Sequence, residues 1–253
     1  MKKTITRYLT LWVKLTANSF LVSLASRFSA FLFFLGKTFR FLFFGIFLFT
    51  ILTKTRVVAG YTLYQAAFFF LTFNFLDTVT QLFFREVYRF RQLVVSGDFD
   101  LVLVKPFHPL FRALAGGADP LDLFMLVPYT AILVFVGTNA GAIEIGNIVL
   151  YVLLLGNGFL IATGFHILVL AMAIVTTEID HTIMIYRDFT TMARFPVDIY
   201  REPIRGIITF IIPIGIMMTF PVKALLGLLS PQVIILSFVL GFSFLIISLR
   251  IWR

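Results

Sequence analysis

The chain has 253 residues, of which 60% are hydrophobic and only 13% are charged. Soluble domains contain roughly 45–50% apolar and about 25% charged residues, so this composition excludes an ordinary water-soluble fold. The formal net charge of +9 comes from scattered residues and forms no basic run, so nucleic acid is not an expected partner. The lack of cysteine excludes disulfides and metals bound by cysteine.

The first 27 residues carry apolar side chains at roughly helical spacing, with polar residues such as Lys14 between them. This pattern predicts an amphipathic helix over residues 1–27 that lies in the membrane interface, with Trp12 at the level of the lipid headgroups. An extension of the first membrane span is the alternative. The segment has no clean apolar stretch followed by a cleavage site, so a cleavable signal peptide is not expected.

Six apolar stretches follow, and a spanning helix needs about 20 mostly apolar residues. Long continuous apolar runs favour helices over the alternating strands of a barrel. The predicted fold class is therefore all-α, a polytopic membrane protein with six transmembrane helices. Pro213 and Pro221 interrupt the fifth stretch, where residues 218–231 are candidates for short re-entrant helices. The predicted spans are residues 28–52, 61–84, 121–136, 148–175, 206–220 and 233–251.

The placement of lysine and arginine predicts the orientation of these spans. If the N-terminus is cytoplasmic, sixteen of the 21 basic residues fall in inside segments, and only Lys54, Arg56 and Lys223 fall outside. Cytoplasmic segments carry such an excess of positive charge. Both termini are thus predicted to be cytoplasmic, together with the two long connections at residues 85–119 and 176–205.

The sequence lacks the common catalytic and nucleotide-binding motifs. It has no GxxxxGK[ST] phosphate loop, no HExxH and no GxSxG, and its three histidines show no metal-ligand spacing. No catalytic residue, metal site or cofactor is predicted. If the task is active transport, its energy must come from another polypeptide or from an ion gradient.

The most structured-looking cytoplasmic connection follows the second span. Ser96, Gly97 and Asp98 predict a turn that can cap a helix, and Leu101 lies in a short apolar segment that Lys105 and Pro106 end. A compact, partly apolar element of this kind suits the docking of a cytoplasmic partner. A loop that only covers helix ends is an equal alternative.

Two stretches carry a resemblance to a known family. The first runs from Gly97-Asp98-Phe99-Asp100-Leu101 to Lys105-Pro106 and Pro109-Leu110-Phe111; the second contains Phe195-Pro196, Ile199-Tyr200, Arg205, Ile212-Pro213 and Phe220-Pro221. With these motifs the chain resembles the six-helix permeases of the ABC-2 superfamily. Within that superfamily it is similar to bacterial exporters of the viologen- and drug-exporter branch, which have a type V exporter-like fold.

The resemblance implies a non-catalytic permease subunit in the bacterial cytoplasmic membrane. Such a subunit pairs with a second permease or with another copy of itself, and two copies of a separate ATP-binding cassette ATPase dock below. A stand-alone secondary transporter or channel is the alternative. The resemblance also implies that the connection after the second span couples to the ATPase, through Gly97, Asp98, Asp100, Leu101, Lys105 and Pro106.

Charged residues also lie inside the predicted spans. Lys37 and Arg40 fall near the middle of the first span, where an uncompensated charge costs about 2.5–3.5 kcal/mol. Asp77 lies at a similar depth in the second span, which suggests a Lys37–Asp77 ion pair, and Asn74 and His166 are candidates for polar lining. The alternatives are a water-filled cavity, a structural ion pair, snorkelling to the interface, or a first span that begins near Phe41. His166 taken alone is more typical of a helix-packing residue.

Overall fold

The computed structural model describes residues 2–25, 27–55, 59–141, 144–176 and 179–253. Within these ranges the chain is almost entirely helical and forms no β-strand, which confirms the all-α fold class. Met1 and Ser26, which belong to the predicted N-terminal helix, and Arg56, which belongs to the charge count, lie outside the described residues.

The described residues form twelve α-helices. The first six are α1 Lys2–Ala25, α2 Arg27–Thr55, α3 Leu63–Phe84, α4 Phe90–Val95, α5 Asp98–Leu103 and α6 Pro109–Ala115. The remaining six are α7 Pro120–Asn139, α8 Ile145–Thr176, α9 Ile179–Met192, α10 Ile204–Gly206, α11 Phe220–Leu225 and α12 Pro231–Trp252. π-Helical turns continue α10 and precede α11.

Among the described residues, five helices are long and apolar enough to cross a membrane. They contain the segments Phe28–Phe47, Leu63–Val95, Pro120–Asn139, Ile145–Thr176 and Pro231–Trp252. A sixth candidate is a helix pair, Ile204–Ile211 and Gly215–Leu225, which bends by 80°. Five to six helices of membrane length confirm a polytopic membrane protein.

The predicted fifth span, residues 206–220, is therefore not one straight helix. The break falls at residues 212–214, around Pro213. Proline has no backbone N–H and its ring clashes with the preceding turn, which explains the kink.

Helix α3 occupies the centre of the bundle, between α7 and α8. Near its N-terminal end, Phe68 and Phe69 pack with Leu133 of α7 and Tyr151 of α8. We call the opposite end of the bundle the Arg85 end, because α3 ends at Phe84 and Arg85 follows it. Because lipid is as apolar as these side chains, close van der Waals packing holds such helices together.

Helices α8 and α12 form a close, uncharged seam. A side chain at Gly164 would collide with Phe244, and one at Gly241 would collide with Asn157. The Asn157 amide donates a hydrogen bond to the Ser237 carbonyl oxygen at 2.9 Å. Small residues let the two backbones approach, which is a common basis of helix association in membranes. We call this contact the α8–α12 seam.

Helix α9 carries the chain from one end of α3 to the other. Tyr186 packs against His166 of α8, and the guanidinium of Arg194 lies over the ring of Phe73. Farther along, Asp198 accepts hydrogen bonds from the Tyr61 hydroxyl at 2.9 Å and from the Lys223 ammonium at 2.7 Å.

Asp198 therefore lies at the Tyr61 end of α3, opposite Arg85. Residues 176–205 were predicted to form one connection on the same side as residues 85–119. The structure does not agree, because α9 returns along α8 and Asp198 lies beside Tyr61. Burial and the adjacent Asp198 carboxylate raise the pKa of Tyr61, so its hydroxyl keeps the proton that it donates.

Candidate functional site

A cavity of about 380 Å³ lies among α2, α3, α7 and α9. This volume falls within the range of small-molecule sites, about 300–1,000 Å³. Lys37 and Arg40 enter from α2, Asp77 from α3 and Arg187 from α9. The other lining residues are Leu32, Phe33, Gly36, Phe41, Phe70, Phe73, Asn74, Thr78, Gln81, Arg85, Asp122, Met125, Tyr129 and Arg194.

Lys37 forms an ion pair with Asp122, in the first turn of α7. The Asp122 side chain is only 2% exposed, and the Lys37 ammonium also lies 5.0 Å from the centre of the Phe33 ring. The predicted Lys37–Asp77 pair is wrong: within the described chain Lys37 has Asp122 as its carboxylate partner. Similar depth in the sequence suggested Asp77, but the packing of α7 beside α3 brings Asp122 closer.

Asp77 is held on the opposite wall by its own helix. Gln81, one turn later, donates a hydrogen bond from its amide to the Asp77 carboxylate at 2.7 Å. Asp77 also interacts electrostatically with Arg187, Arg40 and Lys37. It forms no ion pair with any of these three cations in the described chain.

The cavity contains more positive than negative side chains. Lys37, Arg40, Arg85, Arg187 and Arg194 line it, against the carboxylates of Asp77 and Asp122. Arg85 is also engaged by a residue outside the lining, because its Nε lies 3.1 Å from Asp119 Oδ2. The formal charge of the lining is therefore strongly positive.

Two of these cations have no carboxylate of their own. In the part of the chain that the structure describes, Arg40 and Arg187 form no ion pair, and Arg187 instead lies 5.9 Å from the centre of the Tyr88 ring. Ionisable groups at membrane depth are costly and usually mark a binding or transport path.

His166 lies outside the cavity, contrary to the prediction of polar lining. It is fully buried on α8, with Nδ1 2.8 Å from the Ala162 carbonyl oxygen and aromatic contacts to Phe84 and Tyr186. Its Nε2 has no hydrogen-bond partner among the described residues. The geometry is that of a packing residue, whereas Asn74 does line the cavity.

A second feature lies at the Arg85 end of the bundle. Gly97 adopts a left-handed conformation, with φ of 79°, and α5 begins at Asp98, whose carboxylate accepts a hydrogen bond from Ser96 at 2.8 Å. The Val102 side chain is buried, whereas Leu101 is 61% exposed. The segment comprising residues 97–106 therefore exposes charged and apolar side chains, while Val102 anchors it to the bundle.

The comparison with known families identifies the class of protein. The profile of the family described as "ABC-2 family transporter protein" matches residues 36–253. The chain belongs to the ABC-2 transporter family. No curated protein and no solved structure matches it. The family confirms the resemblance seen in the motifs and makes the chain a permease, a membrane component of ABC transport.

The N-terminal helix of this permease holds the 97–106 segment in place. The Arg7 guanidinium donates a hydrogen bond to the Pro106 carbonyl oxygen at 2.6 Å, and the His108 amide donates to the Tyr8 hydroxyl at 3.0 Å. Farther along α1, the rings of Trp12 and Phe83 stack with centroids 5.9 Å apart. Two hydrogen bonds thus join α1 to the end of the segment and to the residues just after it.

Sequence reasoning missed most of the residues that line the cavity of the permease, among them Asp122, Gln81, Arg187 and Arg194. Asp122 and Gln81 lie within predicted spans, but hydropathy gave no reason to single them out. Arg187 and Arg194 were assigned to a cytoplasmic connection. Their separation of seven residues, two helical turns, on a segment of mixed polarity was the available signal for one charged face.

Proposed function

We propose that this permease forms half of the translocation pathway of an ATP-driven exporter, and that a separate ATPase drives it through residues 97–106. The supporting observation is the form of α5, which exposes Asp98, Asp100 and Leu101 while Val102 packs inward. A short helix with such a surface suits a groove on a protein partner. ATP hydrolysis belongs to the partner, because the sequence has no phosphate loop.

The proposed assembly contains two ATPase copies and a second permease, either another copy or a related chain. The family supports an ATPase partner, and the motif resemblance supports the bacterial cytoplasmic membrane.

We further infer that both termini and α5 are cytoplasmic and that α9, with the residues up to Asp198, forms the fifth crossing. The bent pair of Ile204–Ile211 and Gly215–Leu225 then enters from the outer side and returns. This topology places twelve basic residues inside, five outside and four within the bundle, so the inside excess is preserved.

Cysteine labelling tests this topology, because the natural chain has no cysteine. In intact cells a membrane-impermeant thiol reagent should modify the Ile199→Cys variant and spare Leu101→Cys. Modification of Leu101→Cys but not Ile199→Cys would contradict the proposed orientation.

Coupling is tested with the permease co-expressed with a candidate ATP-binding cassette ATPase. The Leu101→Ser variant should co-purify less ATPase and lower permease-dependent ATP hydrolysis by about tenfold, since an exposed apolar anchor at an interface is lost. Val175→Ser is the matched control, because Val175 is 82% exposed at the end of α8 and lies outside the segment.

Equal behaviour of Leu101→Ser and Val175→Ser would contradict a docking role for residues 97–106. Transport by the permease alone in vesicles, without ATP or any ATPase, would instead support the stand-alone secondary transporter.

A further inference from the structure

We propose that the cavity among α2, α3, α7 and α9 binds an amphipathic anion, a molecule with a phosphate or carboxylate head and an apolar body. This adds a substrate class to the proposed exporter, and the claim that the anion is transported rests on that proposed function. Binding itself depends only on the cavity.

The charge of the lining selects an anion. Lys37 and Asp122 already compensate each other, and Asp77 is the one remaining carboxylate among the described lining residues. Facing it are Arg40 and Arg187, which come from α2 and α9 and have no ion pair within the described chain. An entering anion would complete the charge balance that the protein leaves open.

Arginine is well suited to that role. Its planar guanidinium offers two parallel N–H donors to the oxygens of a phosphate or carboxylate, and such charge-assisted bonds are stronger outside bulk water. An organic cation would meet mostly like charges here and would have Asp77 as its main attraction. The cavity is therefore a poor site for organic cations.

The remaining lining explains why the anion should be amphipathic. Leu32, Phe33, Phe41, Phe70 and Met125 surround the charged groups with apolar and aromatic surface. Asp77 lies seven residues before the end of α3, which is about 10 Å along the helix, so its carboxylate sits inside the bundle and away from the Arg85 end. A free inorganic ion would leave this apolar surface unused.

Binding is measured on the full-length permease alone, in neutral maltoside detergent, with radiolabelled n-dodecyl phosphate. The matched probes are n-dodecyl trimethylammonium, which has the opposite charge, and excess maltoside as the neutral amphiphile. Wild type should bind the phosphate saturably and at least about tenfold more tightly than the ammonium compound. Arg40→Gln combined with Arg187→Gln should weaken phosphate binding by at least about tenfold.

Arg250→Gln is the control variant, because it removes one exposed arginine at the end of α12 that is not part of the cavity lining. Circular dichroism and gel filtration verify that each variant is folded. Unchanged binding in the folded Arg40/Arg187 double variant, or equal binding of the two charged probes, would overturn the proposal.

A competition experiment distinguishes a membrane lipid from a non-lipid anion as the ligand. Vesicles of phosphatidylcholine with phosphatidylglycerol that displace dodecyl phosphate would identify a membrane lipid as ligand, and persistence of binding would identify a non-lipid anion; both support the site. ATP hydrolysis with the co-expressed ATPase is measured separately. Anion binding without coupled hydrolysis would retain the site and overturn the exporter function.

Discussion

The cavity and the α8–α12 seam both place polar groups inside the same bundle, but they solve the problem of burial differently. In the seam, the Asn157 amide bonds directly to the Ser237 carbonyl oxygen, and glycines bring the helices together. In the cavity, Arg40 and Arg187 have no ion-pair partner in the described chain, and the helices stand apart around about 380 Å³.

The difference distinguishes polar groups that stabilise the fold from polar groups that serve a ligand. A polar group that stabilises a membrane protein finds its partner within the protein, because lipid offers none. Charges kept without a partner cost stability and persist when they serve a ligand or a path. We therefore expect changes in the seam to affect folding, and changes in the cavity to affect binding, with the Lys37–Asp122 pair as the exception.

The largest effect on stability is expected from Asp122→Ala. This change leaves the Lys37 ammonium without its carboxylate inside the bundle and should lower the free energy of unfolding by about 3–5 kcal/mol. The measurement is denaturant unfolding in detergent. The double variant Lys37→Met with Asp122→Leu should recover most of the loss, since it removes both charges. A loss below about 1 kcal/mol in the single variant would argue against a stabilising pair.

A smaller loss is expected in the seam from Gly241→Ala. The added methyl group would overlap the Asn157 side chain, whose amide is held by Ser237, and should cost about 1–3 kcal/mol. Gly156→Ala is the matched control on α8, because, apart from the two chain neighbours and the backbone of the same helix turn, no heavy atom lies within 4 Å of the new methyl group. The control should be neutral or stabilising by about 0.5–1 kcal/mol. Equal effects at both positions would mean that the seam is not closely packed.

The smallest effect is expected from His166→Leu. The change removes one hydrogen bond from the ring to a helix carbonyl, which costs stability. It also removes a buried Nε2 that has no partner among the described residues, which restores stability. The free energy of unfolding should therefore change by less than about 1 kcal/mol. ATP-driven transport should be unchanged. Loss of transport in a folded His166→Leu protein would show that the uncharged part of the bundle also carries function.

Hydropathy predicted the helices well where each one is long and apolar. The spans at residues 61–84, 148–175 and 233–251 agree with α3, α8 and α12 to within a few residues. Lys37, Arg40, Asn74 and Asp77, which line the cavity, stand out in the sequence because a polar side chain in an apolar run is visible there.

Neighbour relations could not be predicted in the same way. Hydropathy measures the length and composition of one helix, so it could not show that α7 brings Asp122 to Lys37 or that His166 faces away from the cavity. Hydropathy did not predict α9 as a span, because it has mixed polarity and only 14 residues, fewer than the roughly 20 apolar residues that a span usually needs. Its path emerges only from contacts such as that of Asp198 with Tyr61.

The contrast between cavity and seam is tested most directly by cysteine modification in the cysteine-free chain. Asn74 and Asn157 are matched residues in the two regions, so the Asn74→Cys and Asn157→Cys variants are treated with anionic and cationic methanethiosulfonate reagents of similar size. We predict that Asn74→Cys reacts faster with the anionic reagent, because cations surround a water-accessible cavity, and that Asn157→Cys reacts with neither. Equal protection of both positions, or faster reaction of Asn74→Cys with the cationic reagent, would contradict the account.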